Sequence, residues 1–481
     1  MEHKADEAHP NILLLMTDQQ RGDCLGIENT CPVQTPYLDE LAMNGIRFNR
    51  AYSACPVCVP ARRTLMTGQR PRTHGLLTNG WSPLAAPTLP HVLAEQGYHT
   101  HLVGKLHFQP ARALFGFHSA DWADGPWQDG TVENDYFRYL RQHGIDAHEA
   151  TAHGMSQNGY PVRPWHLDEK FHFSNWCTTR ALDFLERRDP TRPFFLKVSY
   201  LHPHQPLTPP RDYFERYLRE ELPEPYVGDW ARLSDEPMSA LPVDAWRIAL
   251  RPGPMRELRA AYYASVNHVD NQIGRILRRI PKNTVVLFCS DHGEMLGDHQ
   301  WLRKRTPYEP SARIPMLLRL PESLAERRGI AQGQTVSAPV ELMDVMPTLL
   351  DAVGVEAPST VEGSSLLSLV SERASVPWRE YLHGECAQIP TMNGGMHYLT
   401  DGKRKYIWYP GVNQEQFFNL ENDPQEMVDL TQSPAHEGEV IFWRTRLSRE
   451  LRSNFLEKPL RPVTDSSLPH RNGAILVDKL H

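Results

Sequence analysis

The stretch Asn11-Ile12-Leu13-Leu14-Leu15-Met16 is apolar without a break from Ile12 onward and runs into Thr17-Asp18-Gln19-Gln20. An unbroken apolar run, with no polar residue at alternate positions, suits a parallel strand covered by helices on both faces. A second run of the same kind, Thr284–Ser290 (TVVLFCS), ends in Asp291-His292. Polar residues just past such strands stand at the carboxyl edge of the sheet, where open α/β folds bind ligands. Working outward, residues 100–103, 193–200 and 314–319 read as further strands, and 36–45, 61–67, 88–97, 178–187, 256–279 and 342–353 as helices. This alternation predicts an α/β body with a large, mostly parallel central sheet flanked by helices. Residues 109–176 have weak periodicity and many Trp, His, Gly and Asp, and read as a loop-rich insertion over that edge. From about Pro377 the pattern shifts to short hairpin-like runs, 398–400 and 405–409, around the turn signal Asp401-Gly402, then a strand at 417–420 and a helix at 437–451. The expected division is a body, 1–376, and a smaller C-terminal antiparallel α+β subdomain with a tail, 377–481.

Composition narrows the function classes. Hydrophobic residues are 40% and charged residues 23% of the 481, enough for a packed core and too apolar for an intrinsically disordered chain. Lys and Arg number 51 against 58 Asp and Glu, a net charge of −7, so no basic footprint for nucleic acid is present. The apolar runs fall far short of the roughly 18 residues of a membrane span, so no membrane partner is expected. Residues 1–10 are polar and carry no apolar signal core. Seven cysteines, an odd number in a long chain, make no disulfide framework. The expected compartment is the cytoplasm.

Two constellations carry chemistry. Asp18 and Asp291 end two separate buried strands, and carboxylates gathered at one edge repel unless a cation stands between them. Either one alone could instead cap the following helix. The other constellation is Cys55-Pro56-Val57-Cys58-Val59-Pro60-Ala61-Arg62. From its residues alone the C-x-x-C is open to three readings: half a zinc site, a redox pair, or a buried cysteine at a helix N-terminus. In the 109–176 segment, Trp122, Trp127, Tyr136, Trp165 and His172 either offer a face to an aryl or sugar group or pack the loops onto the core.

Cys58-Val59-Pro60-Ala61-Arg62 matches the C-x-P-x-R signature of type I sulfatases, and Leu65-Met66-Thr67-Gly68 extends it. The other landmarks of that family follow in order: Asp18-Gln19, Gly104-Lys105-Leu106-His107, His202-Pro203-His204, Ser290-Asp291-His292-Gly293-Glu294, and Lys304 ahead of Tyr308-Glu309. The resemblance covers roughly residues 10 to 425 and is highly specific. It implies the alkaline-phosphatase-like fold, with residues 1–376 as the catalytic sulfatase domain. It also implies that a formylglycine-generating enzyme oxidises Cys58 to formylglycine. The hydrated aldehyde is a geminal diol: one hydroxyl attacks sulfur and releases the alcohol, and the other loses its proton and expels sulfate.

The resemblance supplies further roles. Asp18, Gln19, Asp291 and His292, with residue 58, are the implied ligands of one divalent metal, calcium first, with manganese or magnesium as alternatives. Arg62, one turn after Cys58, is expected to hold the diol. Lys105 and Lys304 would bind the oxygens of the sulfate, His107 would take the diol proton and His204 would protonate the leaving oxygen. Departures point elsewhere. Asp-Gln and Asp-His in the metal motifs, and Asn79 as a substrate contact, are similar to phosphonate monoester hydrolases of the same superfamily, whereas Lys105 with His107 is the sulfatase pair. The expectation is a sulfatase acting on a small anionic ester, arylsulfatase-like, with phosphonate monoester or phosphodiester hydrolysis as the alternative; a homo-oligomer is compatible with the sequence.

Overall fold

The computed structural model describes residues 9–127, 132–151, 153–155, 157–233, 245–371, 377–389 and 394–457. The polar run at 1–8, the tail at 458–481, parts of the 109–176 segment and the stretch just before Pro377 lie outside the described residues.

Eight strands form one sheet in the order Gln334–Val336, Ile46–Phe48, Met316–Arg319, Thr284–Ser290, Asn11–Asp18, Phe194–Pro203, His99–Gly104, Ser119–Trp122. All pairings are parallel except the two made by Met316–Arg319, which runs against both neighbours. Ile12 to Met16 and Val285 to Cys289 have no exposed surface, so both faces of the central strands are covered, as their unbroken apolar runs require. One face packs with Leu65, Leu89, Leu102 and Leu349. The other packs with Trp176, Tyr136 and Ile273 from the helices Phe173–Arg187, Asp135–Gln142 and Pro252–Leu277.

Among the described residues a second sheet, Leu382–Ile389, Gly394–Thr400, Arg404–Tyr409 and Gln414–Asn419, is antiparallel throughout and carries the helix Glu437–Glu457 on one face. Its other face packs Leu382, Met396 and Tyr398 onto Tyr52, Val57 and Trp301 of the body.

Sequence reading and structure differ in two places. The segment 109–176 is not loops alone. It supplies the edge strand Ser119–Trp122 and the helix Asp135–Gln142, whose N-cap Asn134 accepts from Phe137 N–H. Both are short, so their periodicity is drowned by the surrounding turns. The run at 314–319 is split into Arg313–Ile314 and Met316–Arg319, which belong to different sheets, because Pro315 between them cannot donate to a ladder.

The seam between the two sheets is held by a buried charge. Lys405 has no exposed surface, and its Nζ lies 2.8 Å from Glu309, Glu426 and the Pro307 carbonyl oxygen. Burial pushes the Glu426 carboxyl up to about 7 against the pull of Lys405. Lys405→Met leaves two carboxylates buried without their cation. It should lower stability by about 3–5 kcal/mol, read as a lower urea midpoint; an unchanged midpoint would contradict this account of the seam.

Candidate active site

Four adjacent strands deliver the residues that follow them to one edge. Thr284–Ser290 delivers Asp291 and His292, Asn11–Asp18 delivers Asp18 and Gln19, Phe194–Pro203 delivers His204, and His99–Gly104 delivers Lys105 and His107. The turn after the last of these needs glycine: Gly104 has φ +86, and a Cβ there would lie 2.2 Å from the Ser199 carbonyl oxygen. The helix Cys58–Thr67 begins at the same edge, with Cys58 in its first turn after the extended Val57. A helix N-terminus favours negative charge at that position.

The Cys58 sulfur is the centre of the cluster. Lys304 Nζ lies 3.0 Å from it, His292 Nε2 3.2 Å and Asp18 Oδ1 3.8 Å. The His107 and His204 imidazoles stand close enough to act on its charge. Lys105 Nζ lies 2.7 Å from Asp18 Oδ2, and Lys304 Nζ donates to Gln19 Oε1 at 2.9 Å. Burial would raise the Cys58 thiol, but Lys304, Lys105 and His292 together pull it well below the usual thiol range. The site is therefore built to hold an anionic atom at residue 58.

One atom each from Asp18, Cys58, Asp291 and His292 lies within 4.8 Å of the others, and all four side chains are buried. Burial and the neighbouring Asp18 push the Asp291 carboxyl up, whereas Lys105, His204 and Arg62 hold Asp18 well below its usual value despite burial and Cys58. His292 Nδ1 lies 3.0 Å from the Gly293 carbonyl oxygen, a partner that makes Nδ1 the donor and turns the Nε2 lone pair toward the carboxylates. Two carboxylates and an imidazole lone pair in a buried cluster fit a divalent cation.

Three expected contacts are placed differently. Arg62 does not reach for the residue-58 side chain. Its Nη2 and Nε sit 2.9 Å from Asp18 and Asp291, and its Nη1 donates to Ser199 Oγ and the Lys105 carbonyl. The guanidinium underpins the two carboxylates, because a buried fork is satisfied best by paired acceptors. Gln19 stands beside the ligand cluster with its amide nitrogen turned to Gln205 and Glu294, which leaves its oxygen to Lys304. Asn79 is exposed, and its Oδ1 accepts from Val59 N–H in the first turn of the cysteine helix. Four of the five aromatic candidates resolve as core: Trp122, Tyr136, Trp165 and His172 are buried, and Tyr136 donates to the Phe171 carbonyl, while Trp127 is half-buried and packs against the same core as Tyr136. His202 is likewise buried, with Nδ1 3.1 Å from Ser174 Oγ.

The sequence reading missed the supports. Glu294 is fully buried and accepts from Gln19, from Gln205 Nε2 at 3.0 Å, from Tyr160 at 2.6 Å and from Leu296 N–H. Its place three residues after Asp291 was a usable signal. Asp124 accepts from the N–H groups of Leu106 and His107 at 2.9 and 2.8 Å, and so sets the turn that carries Lys105 and His107. Nothing in its local sequence marks it. Gln19, His107, Arg303 and Arg305 have φ of 68, 62, 70 and 79. Left-handed non-glycine residues cost about 1–3 kcal/mol each and gather at functional sites.

Residues 10–355 match the sulfatase family, and residues 297–453 match the C-terminal region of N-sulphoglucosamine sulphohydrolase. An arylsulfatase of Clostridium perfringens is 38% identical over 92% of this chain and 94% of its own length. A choline-sulfatase of Rhizobium meliloti is 30% identical over 88% of this chain and 83% of its own. The crystal structure of a phosphonate monoester hydrolase of Agrobacterium radiobacter superposes with a TM-score of 0.76 at 21% identity, over 92% of this chain and 96% of that one, and so shares the alkaline-phosphatase-like fold. The sulfatase family generally uses a metal ion and a formylglycine, and the buried cluster at Cys58 has side chains that could hold such an ion. From the match over 10–355 and the 38% identical relative, the chain belongs to the sulfatase family and is a sulfuric ester hydrolase.

Proposed function

We propose that this sulfatase acts on aryl sulfate monoesters through a formylglycine at position 58. The observation that carries the reading is Cys58 at a helix start, with Lys304, His292 and Asp18 against its sulfur and Lys105, His107, His204 and Asp291 gathered around them. In this structure the sulfur stands in for the oxygens of the hydrated aldehyde, which supplies one hydroxyl to attack sulfur and a second to expel sulfate. Asp18, Asp291 and His292, with residue 58, would hold a divalent cation, which when bound screens the anionic ester and favours an ionised nucleophile. Calcium is our first assignment, on the two carboxylates; manganese or magnesium are the alternatives. The setting we assign is cytoplasmic, on seven cysteines that make no disulfide framework in so long a chain.

The remaining side chains divide the work by position. Lys304 binds an oxygen of the sulfate group beside residue 58. Lys105, anchored to Asp18, supplies positive charge to the same group as charge builds on it. Burial and Lys304 lower His204 to about 4. An anionic ester beside it raises that value again, so the imidazole takes up a proton as substrate binds and passes it to the leaving oxygen. His107 Nδ1 is buried with no partner among the described residues, a position from which His107 takes the proton of the second hydroxyl. Arg62 positions the carboxylates.

His107→Ala should therefore complete the first half-reaction and stall in the second. With 4-nitrophenyl sulfate the expected trace is a burst of nitrophenol near one equivalent per active chain, then turnover slower by about 10²–10⁴-fold. Assay of phenylphosphonate esters beside 4-nitrophenyl sulfate separates the second reading, phosphonate monoester hydrolysis, which His292 in the metal cluster favours. If phenylphosphonate esters turn over far faster than any sulfate ester in the wild type, and His107→Ala is near normal on them, the aryl sulfate assignment fails.

A further inference from the structure

A second cluster of ligand-type side chains lies outside the active site. Strands Leu382–Ile389 and Gly394–Thr400 pair so that Glu385 stands directly opposite His397. His383, two residues before Glu385, shares its face of the sheet. His383 Nε2 lies 3.2 Å from His397 Nδ1, and His397 Nδ1 lies 4.0 Å from Glu385 Oε2. One atom from each of the three falls within 4.8 Å of the other two. Glu385 is 4% exposed and His397 9%.

We propose that His383, Glu385 and His397 form a structural binding site for a zinc-class divalent cation, distinct from the Cys58 cluster. Two imidazoles and a carboxylate are a zinc donor set, with water as the fourth ligand. Tetrahedral bonds of about 2.0–2.1 Å separate neighbouring ligand atoms by about 3.4 Å. The 3.2 Å nitrogen pair already has that spacing, and the 4.0 Å pair needs a shift of about half an ångström. Two ring nitrogens 3.2 Å apart cannot both carry a proton, so at least one lone pair faces the cluster. The orienting partners are in place. Arg72 forks onto Glu385 at 2.7 and 3.3 Å, leaving the carboxylate further lone pairs for an ion, and the His397 ring stacks on Trp408 at 5.8 Å. The Arg72 charge works against a dication, and the net result rests on the three direct bonds exceeding that repulsion.

The site would act as a clip. Arg72 belongs to the helix Pro71–His74, and the segment that follows reaches Asn79, which holds the first turn of the cysteine helix. An ion here would tie the C-terminal sheet to the chain that leads to the active site.

The test uses the full chain, stripped with chelator and titrated with Zn²⁺ alone, with bound metal counted by elemental analysis. The wild type should bind one equivalent more than His383→Ala and one more than His397→Gln, while both variants keep sulfate ester turnover. Equal zinc counts in all three overturn the proposal and leave a hydrogen-bonded histidine pair. Should either variant fail to fold, Asp291→Asn decides: it should retain one tight Zn²⁺ equivalent, and retention of none overturns the site.

Discussion

Cys58→Ala should lose turnover of 4-nitrophenyl sulfate by about 10⁴-fold or more, with the fold intact. Removal of a nucleophile leaves only the rate enhancement of the remaining binding groups, and losses of that order are the norm. The clamps stay: Lys304 keeps Gln19 Oε1 at 2.9 Å, and Lys105 keeps Asp18 at 2.7 Å. Binding of sulfate as a competitive inhibitor should therefore survive. Cys55→Ala is the control. Burial and the neighbouring Cys386 raise the Cys55 thiol well above its ordinary range, and its Sγ points at the Leu77 carbonyl oxygen. That variant should keep turnover within a few-fold. Comparable losses in both would mean the two cysteines work as a pair, and the single-residue account would fail.

Asp291→Asn should cost nearly as much by another route. Asp291 is fully buried, and its carboxyl is raised by burial and by Asp18. Its ionised form is tolerable only beside Arg62 and a bound cation. The amide keeps an oxygen for the N–H groups of Gln19 and His292, which Asp291 Oδ1 now accepts at 3.1 and 3.0 Å. It also removes one of two like charges, so the loss of the Arg62 contact is offset in part. The expected result is a folded protein with less than a tenth of the wild-type metal content at the Cys58 cluster and turnover lowered by about 10³-fold or more. Chelation of the wild type should give the same loss, restored by adding the ion back. Full activity in thoroughly stripped protein would contradict the assignment.

The sequence was most legible where one physical requirement leaves one pattern. The middles of Asn11–Asp18 and Thr284–Ser290, Ile12 to Met16 and Val285 to Cys289, have both faces covered and are apolar throughout, and so their ends and the carboxylates at those ends could be placed. Cys58, Lys105, His204, Asp291 and His292 come together because each follows a strand or opens a helix at one edge. What could not be read depends on partners distant in the chain. Arg62 and Asp291 are 229 residues apart, and one turn of helix spacing says nothing of which acceptor the fork will choose. Trp122, Tyr136 and Trp165 have the composition of a binding face, yet each is buried. Aromatic residues serve cores and ligands alike, and only tertiary packing decides: the helix Phe173–Arg187 shares a core with Tyr136 and Trp165, and Trp122 joins the core on the other face with Leu102 and Phe117.

The most direct test of the central claim is the mass of the peptide bearing residue 58, taken from the same preparations in which sulfate ester turnover is measured, with and without the formylglycine-generating enzyme. Conversion of the thiol side chain to an aldehyde replaces two hydrogens and a sulfur by one oxygen, so the two forms separate cleanly. The account predicts that turnover rises in proportion to the aldehyde fraction and extrapolates to zero where all of residue 58 is thiol. Full turnover in protein whose residue 58 is entirely cysteine would contradict it.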